Sequence, residues 1–407
     1  MPPQKRKGSA GTSVGWPAIG TEEASCTPDA TLAHSNRERR EQTGPYRRSL
    51  PALIAGARMD ISSTLAAQIE DASCEIVRFD AELGIEMAPY GAVLLRSEST
   101  ASSRIEHLTA SALAIATTEA GEGQHGSNAA EIVANTHAMQ AAIDMADDLD
   151  LHTILALHRI LMQDDPSIVA GQWRKEQVWI GPGSAGPRIA DFVPPDSGRV
   201  PTLMRDLTAF MGRDDVPVLA LAAAAHAQFE TIHPFPDGNG RTGRALVHAI
   251  LRNRAMTRST TVPISAGLLA DTGAYFDALT SYRTGDTEPI VSMFCSASLR
   301  AVVNGRTLVS DLRSIRREWA ERLKVRKGSD ALRLADLLIR QQVVTTEVIT
   351  KELGVTPNNV ARIIRPFVTT GILIASRSGS RGRAIWRSPD VLSELDSFAD
   401  RAGRRRP

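Results

Sequence analysis

The chain concentrates residues suited to nucleotide chemistry in one stretch, HPFPDGNGRTGR, which runs from His233 to Arg244. Gly238, Asn239 and Gly240 tolerate unusual φ values, so successive backbone N–H groups can point inward there. Such a nest at a helix N-terminus favours an anion, because the unsatisfied amides and the helix dipole both attract negative charge. The stretch therefore predicts a binding site for a di- or triphosphate.

Four side chains around this nest have the types that phosphate chemistry needs. Arg241 and Arg244 are three residues apart, so a helix would present both guanidinium groups to phosphate oxygens from one face. Asp237 offers a hard oxygen ligand, and a Mg²⁺ ion that bridges phosphates takes only one or two protein carboxylates. His233 can accept the proton of an attacking hydroxyl near neutral pH. The stretch is not a Walker loop, because it lacks GxxxxGK[ST] and follows a predicted helix.

The segment from His233 to Arg244 matches the signature HPFx[DE]GNGRxxR, and from Ser49 to about Ala301 the chain resembles the Fic family of protein adenylyltransferases. This resemblance implies a mainly α fold, the Fic-fold helical bundle with a small β-hairpin flap. It also implies an enzyme that moves AMP from ATP to a Ser, Thr or Tyr hydroxyl of a protein target and releases pyrophosphate, with ATP and Mg²⁺ as cofactors.

The resemblance assigns roles by position. His233 would be the general base, Asp237 the magnesium ligand, and residues 238–240 the anion hole, while Arg241 and Arg244 would hold the β- and γ-phosphates. The hairpin expected between Trp179 and Phe192 resembles the family's flap, which aligns an extended target segment by strand addition. An aromatic pair resembles the one that contacts adenine, although a packing role for it stays open. The nucleotide-binding set implied is Gly238, Asn239, Gly240, Arg241, Thr242, Gly243, Arg244, Tyr275 and Phe276.

A second motif, Ser102 to Glu106, resembles the family's inhibitory motif S/T-xxx-E-G/N, in which the Glu pairs with the second Arg of the signature. His107 stands where Gly or Asn is usual. The resemblance implies that Glu106 pairs with Arg244, so that ATP must break this pair or bind with misaligned phosphates. Because removing one partner of a buried pair costs about 3 to 5 kcal/mol, we expect an autoinhibited enzyme.

The C-terminal part of the chain has a different charge. Residues 300–407 hold 22 Lys and Arg against 11 Asp and Glu, a net +11, and the first 299 residues hold 25 against 35, a net −10. Two short predicted helices, with Pro357 at the first position of the second, precede an Arg-rich hairpin, which favours a winged helix-turn-helix domain. Asn358, Asn359, Arg362 and Arg365 would face DNA, with the wing arginines on phosphates. Dimerisation or target docking through this unit is the alternative.

Composition sets the remaining expectations. Aromatic residues make up 4% of the 407, which favours close-packed helices. Three cysteines without metal-ligand spacing indicate a reducing cytoplasm. The longest apolar stretch, Val216 to Phe229, is shorter than the roughly 20 residues of a membrane span. We expect a disordered arm (1–47), an N-terminal helical region with the inhibitory helix (48–150), the catalytic core (151–302), a linker helix (303–328), the winged helix-turn-helix (329–390) and a tail (391–407).

Two classes of function remain after this reading. One is the autoinhibited adenylyltransferase, and the other is a DNA-binding transcriptional regulator that uses the Fic module as a nucleotide sensor. Within the enzyme class, transfer of a phosphoryl or phosphocholine group, or removal of AMP from a modified protein, also stays open. The presence of His233 together with Asp237 and Arg244 favours the enzyme, because a sensor needs no base.

Overall fold

A computed structural model describes residues 15–26, 43–83, 88–124, 126–181, 186–324, 329–377 and 384–403. Helices dominate these residues, so the expected mainly α fold is confirmed. No helix in the described ranges is both long and apolar enough to cross a membrane. The N-terminal half contains α1 Ser63–Leu83, α2 Ala88–Ile105, α3 Ala112–Glu119, α4 Asn128–Asp144 and α5 Leu151–Met162.

A two-stranded hairpin precedes the helices. β1 (Gly20–Cys26) pairs antiparallel with β2 (Gly44–Leu50), so the expected disorder over 1–47 is wrong for these strands. Their pairing depends on distant partners that local sequence does not show. Arg48 on β2 forms ion pairs with Glu22 on β1 and with Asp196. Residues 1–14 and 27–42 of the expected arm lie outside the described residues.

The centre of the fold is a buried helix. After α6 (Val200–Met211) comes α7 (Val218–Ile232), in which every residue from Leu219 to Ile232 is buried. Its first two turns, Val218–Ala225, are apolar all round, as is typical of a core helix, and its many alanines allow close approach by its neighbours. α8 (Asn239–Asn253), which follows the signature loop, packs against α7.

The helices after α8 close the bundle and continue beyond it. They are α9 (Ile264–Leu269), α10 (Thr272–Arg283) and α11 (Glu288–Leu323). α11 is a single helix of 36 residues, so the expected boundary at 302 and 303 falls inside it. The second half of α11 is also not merely solvated, because its buried stripe continues to Trp319, whose indole donates to Asp390 at 2.9 Å.

The C-terminal unit has the element order helix, strand, helix, helix and hairpin. It comprises α12 (Asp330–Arg340), β3 (Val343–Thr345), α13 (Thr346–Leu353), α14 (Pro357–Thr369), β4 (Ile374–Arg377) and β5 (Ala384–Arg387), with strand order β3-β5-β4. Its identity as a winged helix-turn-helix stays a prediction. Two of the expected wing arginines, Arg381 and Arg383, lie outside the described residues.

The expected tail after residue 390 is instead a helix, α15 (Pro389–Ala402), whose apolar face packs against α11 and α2. The Arg104 side chain near the end of α2 donates at 2.7 Å to Ala399 O, a carbonyl in the last turn of α15 that also accepts from Gly403 N at 3.2 Å. The C-terminal helix therefore contacts the segment that carries Ser102 and Glu106.

Candidate active site

His233 ends α7 and begins the loop that leads to α8. Its φ of 50° lies in the left-handed region, and its amide donates to Phe229 O at 2.8 Å. The buried side-chain amide of Asn239 then holds the backbone of Phe235 from both sides. Oδ1 accepts from Phe235 N and Nδ2 donates to Phe235 O, each at 2.9 Å. The loop is therefore closed by its own residues into one fixed conformation.

His158 on α5 packs against this loop. Its ring stacks on Phe235, with centroids 3.7 Å apart and planes 1° apart. Nδ1 accepts from Gly171 N at 2.9 Å, so the ring proton lies on Nε2, which donates to Asp237 O at 3.2 Å. Burial lowers the pKa of His158 to about 4, and the ring is neutral at pH 7. In this neutral form Nδ1 accepts the hydrogen bond from Gly171 N and Nε2 donates one to Asp237 O.

The start of α8 is arranged as an anion site. Gly238 occupies the N-cap with a φ of 72°, and Thr242 is the first residue whose amide bonds back, to Gly238 O at 2.9 Å. The amides of residues 239–241 therefore precede the intrahelical hydrogen bonds, where they and the helix dipole favour negative charge. A Cβ on Gly238 would lie 2.9 Å from Met162 Sδ, so glycine serves both the backbone conformation and the close packing.

Arg244 is buried, and groups at the end of α2 occupy its guanidinium. Nη2 donates to Glu106 Oε1 at 2.8 Å and to Ser102 O at 2.9 Å, while Nε donates to Ser102 Oγ at 2.8 Å. The Glu106 side chain remains 41% exposed against 3% for Arg244. The carboxylate therefore covers an otherwise buried cation from the solvent side.

His107 follows Glu106 with a φ of 62°, in the left-handed region. A Gly or Asn adopts this conformation at lower cost than other residues, which gives a physical reason for the residue types usual at this position. The chain turns here because Leu108 N and Glu106 N both donate to Ser103 O, each at 3.0 Å. His107 therefore adopts the left-handed conformation of this turn, which places Glu106 next to Arg244.

Arg241 also has a carboxylate partner. Its Nη1 lies 3.1 Å from Oε2 of Glu131 on α4, and its Nη2 lies 3.8 Å from Oδ2 of Asp237. Arg241 is 4% exposed, whereas the Glu131 and Asp237 side chains are 43% and 62% exposed. Both signature arginines therefore lie at the base of the cleft, each covered by a carboxylate at its rim.

The titratable groups beside His233 favour a neutral imidazole. Burial, together with the charges of Arg174 and Arg283, lowers the pKa of His233 to about 3. Burial, with a smaller contribution from Glu106, raises the pKa of Glu230 to about 7, and its Oε2 lies 3.8 Å from His233 Nδ1. At neutral pH the imidazole is unprotonated, which is the form that a general base requires.

Comparison with known proteins identifies this region. The model of the Fic/DOC family matches residues 148–251, which include α5, α6, α7 and most of α8. Residues 148–251 form a Fic/DOC domain. A solved structure of a Fic family protein from Desulfovibrio desulfuricans G20 is similar over 81% of this chain and 97% of that one, with a TM-score of 0.51 and 22% identity. At that identity the likeness establishes the shared fold alone.

Curated relatives match over a limited part of their length. The protein adenylyltransferase Fic of Drosophila erecta is 31% identical over 116 residues, which are 28% of this chain and 22% of that protein. The protein adenylyltransferase fic-1 of Caenorhabditis elegans is 28% identical over 172 residues, which are 40% of this chain and 31% of that protein. The matched segment thus spans about a fifth to a third of these relatives.

The Fic domain brings most of the predicted site residues together. His233 ends α7 one loop before α8, the first turns of α8 carry both signature arginines, and Glu106 contacts the second of them. Thr242 and Gly243 instead face the protein interior, where a Cβ on Gly243 would lie 3.0 Å from both His226 and Phe229. These two residues serve the packing of α7 against α8.

The predicted aromatic pair is divided between core and surface. Tyr275 is 1% exposed, and its hydroxyl lies 2.7 Å from Nε2 of the buried His226, which favours the packing role left open for it. Phe276 is 51% exposed and presents its ring at the surface. Of the predicted flap hairpin, the structure describes one antiparallel bridge, between Ile180 and Phe192, and residues 182–185 lie outside the described ranges.

Sequence reasoning missed two residues of the Fic domain site, His158 and Glu131. Neither His158 nor Glu131 belongs to a motif in the sequence. Both act through contacts with residues 79 and 110 positions later in the chain, Asp237 and Arg241. Helical periodicity places each residue on a helix but does not show which distant element its face contacts.

Proposed function

We propose that this Fic-domain protein is a protein adenylyltransferase that moves AMP from ATP to a hydroxyl side chain of a protein target. The observation that carries the proposal is the placement of His233, with an unprotonated imidazole, at the end of α7, one short loop before the N-terminus of α8 and its two buried arginines. The names of the curated relatives support the same reaction class.

In the proposed reaction, His233 accepts the proton, and the N-terminus of α8 and the two arginines stabilise the negative charge of the phosphates. The target hydroxyl oxygen attacks the α-phosphorus of ATP, the bond to the β-phosphate oxygen breaks, and pyrophosphate leaves. His233 takes the hydroxyl proton, and the first amides of α8 stabilise the negative charge on the transferring phosphate. Arg241 and Arg244 hold the departing phosphates.

Asp237 fits the role of a single protein ligand for phosphate-bound Mg²⁺. Its carboxylate is largely exposed at the rim of the cleft, where Oδ1 accepts from Gly238 N at 2.6 Å. The described residues contain no group of three or more His, Cys, Asp or Glu side chains that could hold a metal alone. This agrees with an ion that arrives with ATP and takes most ligands from phosphate and water.

We further propose that Glu106 restrains this activity. Its contact with Arg244 occupies the guanidinium expected to receive a phosphate, and its carboxylate places a negative charge at the anion site. ATP then binds only with its phosphates displaced. Removal of the Glu106 side chain frees Arg244 and the first turn of α8.

The reaction class is tested by incubating Glu106→Gly with ATP labelled either at the α- or at the γ-phosphate, in the presence of lysate. Label retained only from the α-phosphate supports nucleotidyl transfer, and label retained only from the γ-phosphate means a kinase. Release of AMP from a pre-modified protein would indicate the reverse activity. The double variant Glu106→Gly, His233→Ala is the control, and its labelling should be lost.

We propose DNA as the partner of the C-terminal unit. Asn358, Asn359, Arg362 and Arg365 are all exposed on α14, a helix that carries no acidic residue. This composition suits base edges and phosphates in a major groove. Fluorescence anisotropy with duplex DNA should show salt-dependent binding that Arg362→Gln and Arg365→Gln weaken together. No binding at low salt, with a dimer in ultracentrifugation, would favour the alternative of self-association.

A further inference from the structure

The Arg174 side chain joins the signature loop to the segment that resembles the flap. It is 3% exposed, and its Nε donates to His233 O at 2.8 Å. Nη1 donates to Glu176 O at 3.0 Å and Nη2 to Pro195 O at 2.5 Å. The Arg174 amide also donates to Pro234 O at 2.9 Å. One residue therefore holds the backbone of three separate stretches.

The His233 backbone needs such a partner. A left-handed φ at a residue other than glycine costs about 1 to 3 kcal/mol and persists only where surrounding contacts hold it. The His233 amide is held by Phe229 O, and its carbonyl is held by Arg174. If the carbonyl were released, the peptide could rotate, and the imidazole would turn away from the start of α8.

The other two bonds of Arg174 act on the segment between residues 176 and 195. Glu176 and Pro195 lie on the two stems that lead to Ile180 and Phe192, whose amides and carbonyls exchange hydrogen bonds of 2.8 and 3.0 Å. A planar guanidinium that binds both stems sets their separation. Arg174 therefore links the His233 backbone to both stems, which Gln177 also joins through its hydrogen bond to Pro194 O at 2.9 Å.

We propose that Arg174 is a positioning residue that holds the His233 imidazole at a fixed distance from the segment on which the hydroxyl-bearing target lies. The proposal rests on the proposed function, because it assigns the target to that segment and proton transfer to His233. Arg174 itself contacts neither the nucleotide site at the start of α8 nor the signature arginines in the described contacts.

Charge adds a second, separable effect. Burial is the main cause of the low pKa of His233, and the Arg174 cation is the next. Arg174 stays protonated at neutral pH although burial lowers its own pKa to about 10. A lysine at this position would keep a cation without the planar fork, whereas a glutamine would remove the charge as well.

The test compares Arg174→Lys and Arg174→Gln, each in the Glu106→Gly background, with Lys175→Gln as the exposed neighbouring control. Three quantities are measured: the pKa of His233 by NMR, amide exchange at Ile180 and Phe192, and the kcat and ATP KM of self-labelling from α-labelled ATP. Circular dichroism checks that each variant is folded. If Arg174→Gln is not folded, the exchange and kcat measurements on Arg174→Lys alone test the proposal.

Both Arg174 variants should exchange faster at Ile180 and Phe192 and should lose about 10- to 100-fold in kcat with little change in ATP KM. Only Arg174→Gln should raise the pKa of His233. Unchanged exchange and unchanged kcat in the folded variants would overturn the proposal. If Glu106→Gly itself incorporates no label, the proposed function fails. The exchange and NMR measurements then still decide whether Arg174 positions His233 and the two stems.

Discussion

The carboxylate of Glu106 lies directly over Gly240 in the first turn of α8, so close that a Cβ on Gly240 would overlap its Oε1. The same Cβ would lie 2.9 Å from Arg244 Nη1. Glu106 therefore not only pairs with the second signature arginine but also covers the amides expected to receive phosphate. This contact makes the two residues energetically dependent on each other.

A double-mutant cycle measures that dependence. Gly240→Ala should destabilise the wild-type protein because the new methyl group displaces Glu106, but it should be close to neutral in Glu106→Gly, where alanine favours the helix. The coupling free energy from urea unfolding should fall within about 0.5 to 3 kcal/mol. Additive effects of the two substitutions would mean that Glu106 does not occupy this position in solution.

Removal of the Glu131 charge should strengthen ATP binding. In the Glu106→Gly background, Glu131→Gln removes the nearer carboxylate partner of Arg241 and leaves Asp237 at 3.8 Å, so that Nη1 is available to phosphate. Because the pair is partly exposed, its contribution is at most about 1 kcal/mol, which corresponds to roughly a fivefold lower ATP Kd. Calorimetric titration measures the change. A higher Kd would show instead that Glu131 orients Arg241 for the nucleotide.

His158→Phe should destabilise the protein even though it keeps an aromatic ring under Phe235. The substitution leaves Gly171 N and Asp237 O without their hydrogen bonds, at a cost of about 1 to 3 kcal/mol per buried polar group. Urea unfolding measures this loss. His152→Phe, at an exposed position of the same helix, is the matched control and should cost much less. Equal effects of the two would contradict the assigned role.

Thermal stability should fall as the pH is lowered from 7 to 5. Burial lowers the pKa of His158 to about 4 and that of His226 to about 3, so the unfolded chain, with ordinary values near 6.5, binds more protons in this range. His233, whose pKa burial lowers to about 3, acts in the same direction as these two histidines. Glu230 acts in the opposite direction, because its pKa is raised to about 7, but it is one group against three. Calorimetric Tm values across this range test the sign, and a Tm that rises on acidification would contradict it.

The sequence predicted the parts of the site that are contiguous in the chain. α7, α8 and the loop between them follow from periodicity and from the spacing within the signature, and Glu106 was found through a motif of its own. His158, Glu131 and Arg174 were not found as site residues, because each acts through a partner brought near only by helix packing. The unbroken length of α11 was missed because its surface is rich in arginine while its buried stripe continues.

Local composition also misled at both ends of the chain. β1 is polar and carries no clear alternation, and its pairing with β2 depends on contacts of Arg48 with residues distant in the sequence. The segment after residue 390 has the periodicity of a helix, but its apolar face has a partner only because α2 and α11 already form a surface.

The most direct test of the account compares the initial rate of AMP transfer from α-labelled MgATP by Glu106→Gly with the rate of the wild-type protein. The double variant Glu106→Gly, His233→Ala is the inactive control. Removal of the Glu106 carboxylate, which is 41% exposed, from the anion site predicts that Glu106→Gly is faster than the wild type by at least about fivefold, the equivalent of about 1 kcal/mol. Equal rates for Glu106→Gly and the wild type, or label incorporation that survives His233→Ala, would contradict it.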